Sequence, residues 1–384
     1  MSLPTAAESE RPRYCTRILK GHRDNVWALA YTPDGRYIVS GSFGAAILIL
    51  DVRTGETVGS PLTGHSDVID SLVVTPGGKK LISGSRDGTV RVWDLQSRRV
   101  THTLEALAPV PDSEPPPSEQ SFVPPSISPD GRRVITISNN IISMREVETD
   151  KSVMEPIEFR TDSHVTTLVW SPDGKKFVVS GGGALRIWDS ITGRLIAGPF
   201  KFEARFSPIV FSHDGHRVIW GGADGKIWIR DTREENRVLP PLVGHEDRVI
   251  TLGLSPDGER IVSCSDDFTM YIWDATTGTR ISDPLQCCTP NNFAFHHLAF
   301  SPDGKFVASS SDNHVKIWDM EAALAGYRAS NQPKAGIGAP EARVPRLPAR
   351  VVNRPSTSRR WPSELDYSPT ERTGVSQQVL QSST

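Results

Sequence analysis

Short runs rich in β-branched and aromatic residues alternate along most of this chain with polar turns. Apolar and polar positions alternate with a period of two, which predicts half-buried strands rather than amphipathic helices. The clearest stretch is Gly244 to Asp274. It holds a Gly-His pair, an apolar alternation at Val249, Leu252 and Leu254, and the turn Ser255-Pro256-Asp257-Gly258. A second strand from Arg260, a polar turn at Asp266-Asp267 and a third strand ending Trp273-Asp274 follow. Six further stretches repeat this order less completely, with third strands ending Leu50-Asp51, Trp93-Asp94, Arg145-Glu146, Trp188-Asp189, Arg230-Asp231 and Trp318-Asp319. In all seven, the third turn residue precedes the final Asp or Glu by 16 or 17 residues.

The unit explains its own spacing. Pro presets φ at the first central turn position, Asp bonds neighbouring backbone and Gly accepts positive φ, so Ser-Pro-Asp-Gly joins antiparallel strands tightly. A sheet of about 40 residues cannot bury enough apolar surface alone, whereas successive sheets stacked face to face can. Closing the stack into a ring leaves only short, protected edges.

Gly-His, the Pro-Asp-Gly turn, Ser-X-X-X-Asp and Trp-Asp together resemble the WD-repeat family of β-propellers over roughly residues 14 to 320. The resemblance implies an all-β, seven-bladed propeller of four-stranded antiparallel blades. Its ring would be closed by Tyr14 to Leu19 beside the blade ending at Asp319. It also implies that His65, Ser83, Asp87 and Trp93, and His245, Ser263, Asp267 and Trp273, are structural tetrads. The first unit keeps His22 and Ser40 but has Gly44 and Leu50, and the seventh keeps Trp318. The third departs most, with Arg145-Glu146 for Trp-Asp and Pro124-Pro125 where an innermost strand should run, and Pro removes ladder donors.

Three segments fall outside the repeat. Residues 1–13 are expected to be disordered. The insertion 105–125 carries seven prolines and four acidic residues with no Lys or Arg, a composition suited to an extended loop. A short helical turn is predicted over Glu321 to Leu324. The tail 326–384 is expected to be disordered and is basic, with nine Lys/Arg against four Asp/Glu. Six of its arginines lie between Arg343 and Arg360, and residues 345–350 match a Pro-X-X-Pro-X-Arg ligand pattern.

Composition narrows the function. Hydrophobic content of 37% and charge of 23% suit a soluble globular chain. Four cysteines (Cys15, Cys264, Cys287, Cys288) make no disulfide framework in a chain of 384 residues, and no run approaches a membrane span, so a cytoplasmic or nuclear protein is expected. No phosphate-binding glycine loop occurs. Cys287-Cys288 with His296-His297 lacks zinc-ligand spacing, so neither metal nor cofactor is expected. The repeated Ser, His and Asp could be a hydrolytic triad, but two blades carry the same trio at the same spacing beside a Trp, which favours fastening over catalysis.

What remains is a surface. In the family, residues three and five after the loop His, and the one before the turn Asp, lie on the top face. The resemblance therefore marks Trp27, Phe43, Asp70, Arg86, Arg205, Arg248 and His296 as partner-binding candidates, with Trp27 and Phe43 beside Asp70 and Arg86 the strongest group. Aromatic and Arg side chains are common binding anchors. The expected function is a non-enzymatic protein-interaction scaffold binding partner peptides or loops, with no small-molecule substrate. The alternative is binding of nucleic acid or another acidic surface through the Arg-rich tail.

Overall fold

The computed structural model describes residues 12–105, 123–138, 141–158, 165–201, 208–233, 238–287 and 297–331. They form seven antiparallel sheets arranged as a seven-bladed β-propeller. The innermost strands are Val26–Tyr31, Ile69–Val74, Val123–Ile127, Val165–Trp170, Ile209–Phe211, Val249–Leu254 and Leu298–Phe300. Each touches the next, and the last returns to the first. Blade 7 is completed by Cys15–Leu19, which pairs antiparallel with His314–Asp319, so the two ends of the ring share one sheet. Blade 1 has three named strands, and only the bridges Ile47↔Leu62 and Leu50↔Thr57 occupy its outer position.

Apolar burial follows the stacking logic, because the described residues divide into seven clusters, one at each blade interface. Between blades 1 and 2, for example, Val39 and Ile49 pack with Ile69, Leu81 and Trp93. Gly41 permits this approach, since a Cβ there would lie 2.5 Å from Ile69 Cγ2.

The polar signatures hold the strand connections. Ser128 Oγ donates to Asp130 Oδ1 at 2.6 Å, Ser171 to Asp173 at 2.7 Å and Ser301 to Asp303 at 2.6 Å, and each Asp then accepts the amide two residues on. The Asp ending a third strand caps the following turn: Asp189 Oδ1 accepts the Ile191 and Thr192 amides at 3.0 and 2.7 Å, and Asp274 Oδ1 those of Thr276 and Thr277 at 2.9 and 2.7 Å.

Two expectations need correction. The innermost strand of blade 3 forms despite Pro124-Pro125. Its pairing steps from Ile135↔Ser126 to Ile137↔Val123, so the prolines occupy a bulge where ladder donors are not required. The C-terminal helix is a full element, Met320–Asn331, rather than a turn over Glu321 to Leu324. Asp319 Oδ1 accepts the Ala322 amide at 2.9 Å as a cap, Met320, Ala323 and Leu324 are buried, and Glu321 pairs with Arg260 at 2.9 Å. Residues 326–331, which composition assigns to the tail, belong to this helix. The expectations for residues 1–11, for most of the insertion (106–122) and for 332–384 lie outside the described residues.

Candidate functional site: the top face of blades 1 and 2

Loop and turn meet through a repeated backbone bond. The amide of Phe43 donates to the Asn25 carbonyl at 2.9 Å, Arg86 to Val68 at 3.0 Å and Asp266 to Arg248 at 2.9 Å. The residue before the turn position, Asp87 or Asp267 in blades 2 and 6 and Gly44 in blade 1, is thereby held beside the residue three after the loop His. The top of the innermost strand also carries a bulge: pairing shifts between Val26 and Ala28, Ile69 and Ser71, and Val249 and Thr251. Trp27, Asp70 and Ile250 are therefore the extra residues of their strands, and a bulge re-aims the side chain it carries.

In blades 1 and 2 these features assemble one cluster. Trp27 and Phe43 meet edge to face, with centroids 6.0 Å apart and planes at 61°. Arg86 reaches across from blade 2, its Cζ 5.0 Å from the Trp27 ring. Its Nε and Nη2 donate to the Asp70 carboxylate at 3.2 Å. Asp70 is buried, whereas Trp27, Phe43 and Arg86 are half-buried. Burial pushes the Asp70 carboxyl up to about 6, against the opposing pull of Arg86. The guanidinium is thus fixed from below by a buried acid and stacked on an aromatic ring, a rigid cation–aromatic surface.

The other candidates are placed differently. Arg248 pairs with Asp266 in blade 6, with Nε and Nη2 at 3.0 and 2.9 Å from Oδ2. Arg205 and His296 lie outside the described residues.

The Ser-His-Asp trios are buried in the blades. In blade 6, His245 Nδ1 lies 3.0 Å from Asp267 Oδ2, His245 Nε2 lies 2.7 Å from Ser263 Oγ, and Trp273 Nε1 donates to Ser263 Oγ at 2.8 Å. In blade 2 the corresponding distances are 2.8, 2.7 and 2.8 Å for His65–Asp87, His65–Ser83 and Trp93–Ser83. Asp267 accepts from Nδ1–H, so Nε2 takes the Ser263 proton while the Ser263 oxygen receives the indole N–H. Burial works to raise the Asp267 pKa, but hydrogen bonds from His245, Thr269 and the Glu246 amide outweigh it and leave about 2. Ser83 and Ser263 are wholly buried, so neither oxygen can meet a substrate carbonyl. In blade 1 a Cβ on Gly44 would lie 2.2 Å from Asp24 Oδ2. Asp24 thus fills space that the tetrad pattern assigns to the turn Asp, a substitution invisible from repeat spacing.

Five segments, 13–50, 55–94, 157–189, 236–274 and 283–319, match the family model described as WD domain, G-beta repeat. The chain belongs to the WD-repeat family. The chain is also similar to named proteins. The guanine nucleotide-binding protein subunit beta of Zea mays is 30% identical over 186 residues, 43% of this chain and 46% of that one. Ribosome assembly protein 4 of Saccharomyces cerevisiae is 40% identical over 62 residues, 16% of this chain and 12% of the other. A periodic tryptophan protein 2 homolog of Dictyostelium discoideum is 28% identical over 162 residues, covering 41% and 17% of the respective chains. The matches span less than half the length of each of these relatives. Among the described residues, no helix is long and apolar enough to cross a membrane, and no group of His, Cys, Asp and Glu is arranged to hold a metal.

Proposed function

We propose that this propeller is a non-enzymatic interaction platform that binds an extended partner peptide or protein loop across the top face of blades 1 and 2. The observation that carries this is the Trp27–Phe43–Arg86 surface anchored on buried Asp70, because two bulged strands and two turns converge to build it. Pre-fixed aromatic and Arg side chains lose little freedom on binding, which is what makes such residues anchors. One relative is named as a subunit and another as a ribosome assembly protein. These names support a scaffold role and a cytoplasmic or nuclear setting.

The test compares tagged full-length protein with the Trp27→Ala, Arg86→Ala double variant in affinity purification followed by mass spectrometry. Loss of a central anchor costs about 2 kcal/mol or more, roughly thirtyfold in affinity, so at least one partner should drop out. Retention of every partner by a folded double variant removes this surface from consideration.

A further inference from the structure

The face of blade 7 that looks towards blade 6 gathers three basic side chains at one end. The register of the ring-closing strand runs Arg17↔Ile317, Ile18↔Lys316, Leu19↔Val315, so the next residue, Lys20, falls opposite His314. Opposed and alternate residues share a sheet face, which puts Ile18, Lys20, His314 and Lys316 on one side. That side meets blade 6, because Ile18 packs against the cluster holding Cys264, Met270 and Cys287, and Lys316 Nζ donates to the Cys287 carbonyl at 3.0 Å. Lys20 is exposed, and His314 and Lys316 are half-buried. Among the described residues, none of the three forms an ion pair with a carboxylate. Burial lowers the His314 pKa most, the Lys20 ammonium next, and Lys316 adds to both. Asp312, in the turn two residues before His314, pulls the other way, but Lys20 outweighs it. Two lysines and an imidazole thus share a field of net positive sign, an arrangement that costs stability until an anion joins it.

Blade 6 departs from the repeat beside this cluster. It keeps the full tetrad, yet its turn reads Asp267-Phe268-Thr269 where blade 2 has Asp87-Gly88-Thr89. Phe268 has φ 67°, close to the 78° of Gly88. A bulky side chain in that region is strained, and such strain collects at functional sites. Phe268 is half-buried against the same cluster as Ile18. Its carbonyl accepts the Cys287 amide at 3.1 Å while the Cys287 carbonyl holds Lys316, so one residue ties the strained turn to the cation. Lys316 is thereby fixed, with two of its three N–H donors to spare among the described residues.

We infer that the seam between blades 6 and 7 is a phosphate-binding site, separate from the top face of blades 1 and 2, for a phosphoserine or phosphothreonine of a partner peptide. The phosphoryl dianion matches the two ammonium groups of Lys20 and Lys316, and His314 adds an N–H donor. Lysines act on phosphate as point charges, whereas a planar carboxylate is better met by the fork of an Arg. Residues flanking the phosphorylated one would cover Ile18 and Phe268, apolar surface that a free phosphate ion would leave in water.

The test uses full-length protein and a fluorescein-labelled peptide mixture with a fixed central phosphoserine and apolar neighbours, read by fluorescence anisotropy. Saturable binding is expected, falling as salt rises. The same peptides with Ser or Glu for phosphoserine should bind about tenfold or more weakly, and so should the phosphopeptide to Lys20→Glu and Lys316→Gln. Lys20 is exposed, so Lys20→Glu should keep the wild-type thermal midpoint, whereas Lys316→Gln also loses the Cys287 contact. Lys175→Glu, an equal change of charge on the exposed surface of blade 4, should leave binding unchanged. The inference is overturned by the absence of saturable binding, by binding that Lys20→Glu leaves unchanged or that Lys175→Glu weakens equally, or by binding that the Trp27→Ala, Arg86→Ala variant abolishes. It is equally overturned if inorganic phosphate competes as tightly as the phosphopeptide binds, or if phosphoinositide vesicles or labelled polyuridylate occupy Lys20 and Lys316 while the phosphopeptide does not.

Discussion

Replacing Ser263 by Ala removes one oxygen, and the cost depends on what that oxygen serves. It is wholly buried, receives the Trp273 indole N–H at 2.8 Å and gives its proton to His245 Nε2 at 2.7 Å. Ala leaves little empty volume, so the loss is polar: a buried donor and a buried acceptor both go unpaired, at roughly 1–3 kcal/mol each. Relief from desolvating the hydroxyl offsets part of this, and the expected net destabilisation is ~2–4 kcal/mol. The other blades supply an internal scale. Among the described residues, Ser40 has only His22 as a side-chain partner, at 2.7 Å, because Leu50 stands where a Trp would. Among the described residues, Ser309 has only the Trp318 indole as a side-chain partner, at 2.9 Å. Each of these should cost about half as much on truncation, ~1–2 kcal/mol. Urea unfolding of Ser263→Ala, Ser40→Ala and Ser309→Ala, followed by tryptophan fluorescence, should place Ser263→Ala well below the other two. Equal losses at all three positions, or a Ser263→Ala protein as stable as wild type, would refute the reasoning. Loss of a hydrolytic turnover at an unchanged unfolding midpoint would make the trio catalytic instead.

Burial raises the Asp70 carboxyl from 3.8 to about 6, so between those pH values the native state keeps a proton that the unfolded chain has released. Stability from this group therefore falls as pH rises through that window, and Asp70→Asn should flatten the slope in unfolding midpoints measured from pH 4 to pH 7. Asp267 carries the opposite sign, since its carboxyl is lowered to about 2, and its contribution is lost as pH falls below about 4 towards that value. A Cβ at Gly326 would lie 1.9 Å from the Tyr14 hydroxyl, next to the ring-closing strand. Gly326→Val should cost ~1–3 kcal/mol in thermal unfolding. If the Arg-rich tail binds nucleic acid, affinity should fall steeply with salt and vanish on truncation after Asn331. A cut at residue 325 would instead divide the capped helix Met320–Asn331 and confound the comparison.

How much of this was legible in the sequence depends on whether a feature carries its own hydrogen bonds. Ser-Pro-Asp-Gly and the strand-ending Asp do, since each satisfies backbone within a few residues, so repeat number could be read from spacing, whereas ring closure by Tyr14 to Leu19 came from the resemblance to the WD-repeat family. The bulge at Trp27 could not: one inserted residue leaves the apolar alternation intact on either side, and only the pairing Val26↔Ser42, Ala28↔Gly41 exposes it. Pro124-Pro125 misled for the same reason, because a bulge makes an absent donor harmless. Blades 3 and 5 show the limit most clearly. They are the two that the WD-repeat match omits, and the two with Arg at the Trp position. Neither Arg leaves a hole. Arg145 reaches the Glu105 carbonyl at the root of the insertion and pairs with Asp150 at 2.9 Å, and Arg230 lies with Cζ 3.7 Å from the Phe200 ring. An indole that fastens a blade to itself has been exchanged for a guanidinium that fastens it to the chain beside it. At blade 3 the companion change, Glu146 for Asp, replaces a backbone turn cap with a side-chain contact to Thr149. The repeat pattern thus weakens where a blade is tied outward, blade 3 to the strand ending at Glu105 and blade 5 to Phe200 of blade 4.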